Sequence, residues 1–161
     1  MINLEKTEER LVRLLCEKNM KVSTAESCTG GLAAQRITSV PGASACFDLG
    51  VVTYANEQKE KILKVDKEVL EKYGAVSKEV ALLMSKGAKM LSGADFAVGI
   101  TGLAGPGGET LNKPVGLVYI SICSEKSHEA YKYNFSGTRE EIRNSAAEEA
   151  LKLVLLELEK I

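Results

Sequence analysis

Two stretches of this 161-residue chain are almost continuously apolar: DFAVGIT at residues 95–101 and VGLVYISIC at residues 115–123. Strands take that pattern when helices cover both faces, so both runs are expected in the middle of a sheet. Elsewhere the spacing is helical or alternating. Leu4, Leu11, Leu14 and Leu15 share one side of a charged amino-terminal helix that should end near Asn19. Val22, Thr24 and Ala25 mark a short strand within KVSTAESCTGG, residues 21–31, after which Leu32, Ala33, Ala34 and Ile37 resume at helical spacing. Pro41-Gly42 breaks the chain, and CFDLGVVTY, residues 46–54, supplies a second strand. Three helices should follow: NEQKEKILKV with Asn56 as cap and Ile62 and Leu63 inward, KEVLEKY capped by Asp66, and KEVALLMSKGAKML capped by Ser77, with Gly74 between the last two. Tyr131, Tyr133 and Phe135 alternate with Ala130, Lys132 and Asn134, which reads as a strand near an edge with one exposed face. Thr138 to Glu141 forms a capping box that opens a last helix with Ile142, Ala146, Ala150, Leu153 and Leu158 on its inner side.

Helix–strand alternation followed by a run of strands predicts an α/β protein: a three-layer α/β/α sandwich around a central mixed, largely parallel sheet. With no repeat, low-complexity tract or linker, residues 1–161 read as a single domain. Charge and cysteine usage narrow the function. Lys and Arg number 21 against 22 Asp and Glu, a formal charge of −1, which argues against a nucleic-acid partner while leaving room for a local basic pocket. Cys16, Cys28, Cys46 and Cys123 form no C-x-x-C pair, so neither a metal site nor a disulfide framework is expected. The amino terminus lacks a basic region followed by an apolar run, and no apolar segment approaches membrane-spanning length. A cytoplasmic protein with no membrane partner is the resulting expectation.

The turn after the first strand is the place to look for chemistry, because ligands of open α/β sheets bind beyond the carboxyl ends of the strands. Ser27, Cys28 and Thr29 lie there, and Gly30-Gly31 lets the backbone turn into a helix whose first N–H groups can hold an anion or a developing oxyanion. The same turn also reads simply as a helix cap. His128 is the only histidine and sits in the charged segment SEKSHEAYKY, so a Ser-His-Asp triad is not expected. If Ser27 is a nucleophile, a lysine is the remaining neutral amine able to serve it, provided burial or nearby positive charge brings its pKa from about 10.4 to roughly 7–8. Lys59 stands at the start of the helix after the second strand, as Ser27 stands after the first. Glu57, Glu60, Lys61 and Lys64 around it equally describe a solvated helix face. The loop from Gly102 to Pro114 matches no nucleotide-binding motif, and its glycines can simply make turns. Thr101 is either an oxyanion donor or a turn residue. Arg139 and Arg143, one helical turn apart, either clamp a phosphate or lie in solvent.

Taken in order, TAESCTGG (24–31), VPGASACF (40–47), GVVTYANEQK (50–59), GAVSKEVA (74–81), GITGLAGPGG (99–108), KPVGLVYI (113–120) and FSGTREEIR (135–143) closely resemble the carboxy-terminal domain of the CinA competence/damage-inducible proteins. That family includes stand-alone nicotinamide mononucleotide amidohydrolases. The resemblance implies hydrolysis of the carboxamide of nicotinamide mononucleotide to nicotinic acid mononucleotide and ammonia, in pyridine nucleotide recycling, with no metal or organic cofactor. It places the serine nucleophile on Ser27, the lysine base on Lys59 and an active-site tyrosine on Tyr54. Substrate contacts fall on Cys28, Thr29 and Gly30, on Thr101, Gly102, Gly105, Gly107 and Gly108, and on Arg139 and Arg143, leaving open which arginine meets the phosphate. Cys46 stands where an aromatic is usual and Ala55 where serine is frequent. The expected partners are the mononucleotide and further copies of the chain in a homo-oligomer. Two alternatives stand beside this reading: a non-catalytic nucleotide- or partner-binding module linked to competence or DNA damage, and Cys28 as nucleophile.

Overall fold

The computed structural model describes residues 4–161; Met1 to Asn3 lie outside them. In chain order the elements are α1 (Thr7–Glu17), β1 (Val22–Glu26), α2 (Leu32–Thr38), a 3₁₀ turn at Ala43–Ala45, β2 (Phe47–Val52), α3 (Asn56–Leu63), α4 (Lys67–Tyr73), α5 (Lys78–Ser92), β3 (Phe96–Gly102), β4 (Leu117–Cys123), β5 (His128–Asn134) and α6 (Arg139–Glu159). The sheet order is β2-β1-β3-β4-β5. β1 runs parallel to β2 and β3, whereas β3–β4 and β4–β5 are antiparallel. This is the mixed sheet between helical layers that the sequence predicts.

Connection handedness decides which face each helix covers. α2 links β1 to β2 and packs with α1 and α6 on one side, while α3, α4 and α5 link β2 to β3 and cover the other. Alternate strand residues feed two apolar clusters accordingly. Val22, Val98, Ile100, Val118, Ile120 and Ile122 join α1, α2 and α6; Ala25 and Ala97 join Leu63, Leu70, Val80 and Met84. β3 is buried along nearly its whole length, as its apolar run requires, and β5 is an exposed edge.

Capping chemistry sets the helix starts. Asp66 accepts from Glu68 N–H at 2.8 Å and Ser77 from Val80 N–H at 3.2 Å, and Thr138 with Glu141 completes the capping box of α6. Asn56 behaves differently from its expected role: it is the first helical residue of α3, and Ala55 holds the cap position without a side-chain bond. Two apolar assignments also change. Leu4 precedes α1 and is exposed, and Ile62 faces outward while Leu63 is buried. The inward stripe of α3 consists of Lys59 and Leu63, one turn apart, so its neighbour Ile62 is rotated off that stripe.

Candidate active site

The order β2-β1-β3 sends the chain to opposite sides of β1, which makes the carboxyl end of β1 a topological switch point. Register aligns three strand ends there: Glu26 pairs with both Val52 and Ile100. Ser27 N–H donates to Ile100 O at 3.0 Å and Thr53 N–H to Glu26 O at 2.9 Å. Ser27, Thr53 and Thr101 therefore emerge side by side. A cleft of about 280 Å³ opens over them, bounded by Ser27, Cys28, Tyr54, Lys59, Ala75, Val76, Thr101 to Gly105, Gly107 and Arg139.

Lys59 is 1 % exposed, the largest side chain among those almost fully buried. Its Nζ stands 3.0 Å from Ser27 Oγ, 2.7 Å from Thr53 O and 3.2 Å from Tyr54 O. Among the described residues no carboxylate lines this cleft, so the buried ammonium has no counter-ion there, and burial lowers the Lys59 pKa from 10.5 to about 8. The partners suit a neutral amine. As an ammonium it donates to both carbonyls and to Ser27 Oγ; once deprotonated it keeps the two carbonyls and turns its lone pair to the Ser27 hydroxyl. The neighbouring thiol is in the opposite condition: burial pushes Cys28 up to about 12, so it stays protonated and a poor nucleophile.

The turn itself departs from the sequence reading in one respect. The start of α2 was expected to offer free N–H groups to an anion. The carboxylate of Glu26, fully buried, already occupies it, accepting Ala33 N–H at 2.8 Å and Ala34 N–H at 3.1 Å, with Thr29 Oγ1 donating at 2.7 Å. The N–H groups of Cys28 and Thr29, adjacent to the serine, have no acceptor among the described residues.

The two arginines separate cleanly. Arg139 lies on the cleft, with Nη1 on Gly105 O at 2.6 Å and Nη2 on Tyr54 Oη at 3.2 Å. Arg143 lies outside the cleft wall and donates Nε to Cys28 O at 3.1 Å and Nη2 to Thr29 O at 3.0 Å. Its guanidinium holds main chain, so of the two arginines between which the phosphate contact was left open, Arg139 is the one that lines the cleft. Gly102, Gly105 and Gly107 line the cleft; Thr29, Gly30 and Gly108 do not, the Thr29 side chain being buried and turned toward Glu26. Thr101 donates its hydroxyl to Ala75 O at 2.8 Å, so it is tied in place at the rim of the site. Cys46 is buried in the core away from the cleft, so its departure from the family pattern does not alter the wall. His128 lies on the edge strand with Nε2 2.8 Å from Leu82 O. Glu26 is the residue whose contribution the sequence reading missed. Its position immediately before the serine and seven residues before Ala33 was the available signal.

Fold and site together define an α/β sandwich carrying a serine–lysine pair at its switch point. The comparisons with known proteins put a family to that class. The profile of the CinA C-terminal domain matches residues 4–158, and the chain belongs to that family. A CinA-like protein of Endomicrobium trichonymphae is 51% identical over 142 residues, 88% of this chain and 33% of that protein. The competence/damage inducible protein CihA of Agrobacterium tumefaciens superposes with a TM-score of 0.88 at 40% identity, covering 99% of both chains. A CinA superfamily protein of Klebsiella pneumoniae reaches 0.91 at 33% identity, over 97% of this chain and 99% of its own. The chain spans about a third of the length of the curated relatives it matches.

Proposed function

We propose that this chain hydrolyses the carboxamide of nicotinamide mononucleotide to nicotinic acid mononucleotide and ammonia. The observation that carries the reading is the Ser27–Lys59 contact of 3.0 Å around an amine that burial brings to about pH 8. Neutral Lys59 takes the Ser27 proton as Oγ attacks the carboxamide carbon, and the N–H groups of Cys28 and Thr29 hold the oxyanion. The Lys59 ammonium returns its proton to the departing ammonia, leaving an acyl-serine. Water then attacks the ester with Lys59 again as base, releasing the acid and Ser27. The pyridinium withdraws charge from the carbonyl, and its positive charge favours the neutral amine. Arg139, fixed by Gly105 and Tyr54, receives the phosphate.

The names of the relatives, competence-damage inducible and CinA-like, fit a second reading as a binding module. A module that only binds gains nothing from an unpaired amine held beside a serine at the cost of desolvation. Ammonia release from purified protein and nicotinamide mononucleotide decides between them. Ser27→Ala should lower the rate by about 10³-fold or more while Cys28→Ala retains most of it. Absence of ammonia with the folded wild type supports the module, and the reversed mutant pattern transfers the nucleophile to Cys28.

A further inference from the structure

The turn that bears Ser27 is held from two sides by groups that do not line the cleft. On the inner side the Glu26 carboxylate accepts from Thr29 Oγ1, Ala33 N–H and Ala34 N–H, so both of its oxygens are occupied and the start of α2 is fixed to the end of β1. On the outer side the Arg143 guanidinium reaches from α6 and bonds the carbonyls of Cys28 and Thr29. Each peptide plane carries a carbonyl and an N–H on opposite edges. Fixing Cys28 O toward Arg143 therefore fixes the Thr29 N–H in the opposite direction. Gly30 N–H folds back to Ser27 O at 3.0 Å, which constrains the plane shared by Ser27 O and Cys28 N–H. The N–H groups of Cys28 and Thr29, which have no acceptor among the described residues, belong to the planes so constrained. Gly30 sits at φ +59, and a Cβ there would come within 3.3 Å of Arg143 Nη2, so the turn and the guanidinium are fitted to each other.

We infer that Glu26 and Arg143 form a two-sided clamp that keeps the Cys28 and Thr29 N–H groups free and aligned to stabilise the oxyanion. The inference rests on the Ser27–Lys59 mechanism and adds residues that touch neither substrate nor product. Both are positioning residues. Unpaired backbone donors beside a buried carboxylate have a strong local alternative; saturating the Glu26 oxygens with Thr29, Ala33 and Ala34, while Arg143 holds the Cys28 and Thr29 carbonyls, prevents collapse onto it. An arrangement made before the reaction begins requires no reorganisation as charge develops, which is where most of the benefit of such a hole lies.

A pyridine-3-boronic acid probe separates this role from plain structural support. Ser27 Oγ adds to boron as Lys59 accepts the serine proton, giving a tetrahedral boronate anion whose hydroxyl occupies the oxyanion position. Nicotinic acid mononucleotide binds with no such anion and reports the rest of the cleft. In Glu26→Gln the amide keeps the size of the side chain but loses one acceptor oxygen; in Arg143→Lys the charge stays but a single ammonium cannot span both carbonyls in the same geometry. Each variant is expected to bind the boronic acid at least about tenfold more weakly, and to lose kcat with KM nearly unchanged, while its affinity for nicotinic acid mononucleotide stays within about twofold of wild type. Equal weakening of boronate and product, or no weakening of the boronate, overturns the clamp. Wild-type protein that forms no boronate adduct overturns the Ser-Lys mechanism, and the clamp with it.

Discussion

At the scale of single residues, Lys59 sets the chemistry because its surroundings fail to pair it. An ammonium 1 % exposed with only carbonyls and a hydroxyl as neighbours loses hydration without gaining a counter-ion, which is what brings its pKa to about 8. The resulting activity should rise with pH along a limb in kcat/KM centred near that value, and the limb in kcat should lie lower once the pyridinium is bound. Lys59→Arg keeps the charge but cannot deprotonate, so turnover should fall about 10²- to 10⁴-fold in a folded protein. Wild-type turnover in that variant would remove the lysine from the mechanism. Stability gives an independent check. Because the folded pKa is depressed below 10.5, the unfolded chain binds more protons between about pH 8 and 10.5, and stability rises with pH across that window. Urea denaturation of wild type and Lys59→Met should show the wild type gaining relative to the variant from pH 8 to 10. A gap that stays constant would mean that the amine titrates as an ordinary lysine.

At the scale of elements, the amine reaches the serine because α3 and α5 approach closely. Gly87 in α5 makes that approach: a Cβ there would lie 2.2 Å from Leu63 O, one helical turn beyond Lys59. Gly87→Ala has to push α5 off the end of α3, which should cost about 1–3 kcal/mol in chemical denaturation and lower activity through the loosened Lys59–Ser27 contact. Gly107→Ala makes a suitable comparison, since nothing lies within 4 Å of its Cβ; its stability should stay within about 0.5 kcal/mol of wild type. Equal destabilisation by both substitutions would show that the close approach at Gly87 is not what seats α3. The same element explains why the sequence did not expose the buried lysine. Lys59 and Leu63 form the inward stripe, but periodicity recognises only apolar residues, so a lysine on that stripe looks like part of the charged face around it.

At the scale of the whole molecule, the cleft joins parts of the chain far apart in sequence: the end of β1, the Thr53–Lys59 segment, the glycine loop after β3 and the first turn of α6. Arg139 closes it from the last of these. If Arg139 receives the phosphate, Arg139→Ala should reduce kcat/KM for nicotinamide mononucleotide by about 10- to 100-fold, the size of one or more charge-assisted hydrogen bonds, with little change for the riboside. Arg143→Ala should impair both substrates alike, because Arg143 bonds the nucleophile turn. Parallel losses on the two substrates in Arg139→Ala would dismiss its phosphate role.

By itself the sequence determined the order and kind of nearly every element, the mixed sheet with its exposed last strand, and the caps at Asp66, Ser77 and Thr138. Those features follow from local spacing, and local spacing survives in a linear reading. It also singles out Ser27 and Lys59 as residues at two strand ends, although spacing alone fits a solvated lysine equally well. Tertiary structure decided what each charged group meets. It buried Lys59, assigned Arg139 to the cleft and Arg143 to the backbone, filled the start of α2 with Glu26, and turned Ile62 and Leu4 outward. A side chain's charge and length can be read from its letter. Whether that charge faces a carbonyl, a cleft or water depends on which distant segment is packed against it, and here only the crossing of the chain about β1 settles that.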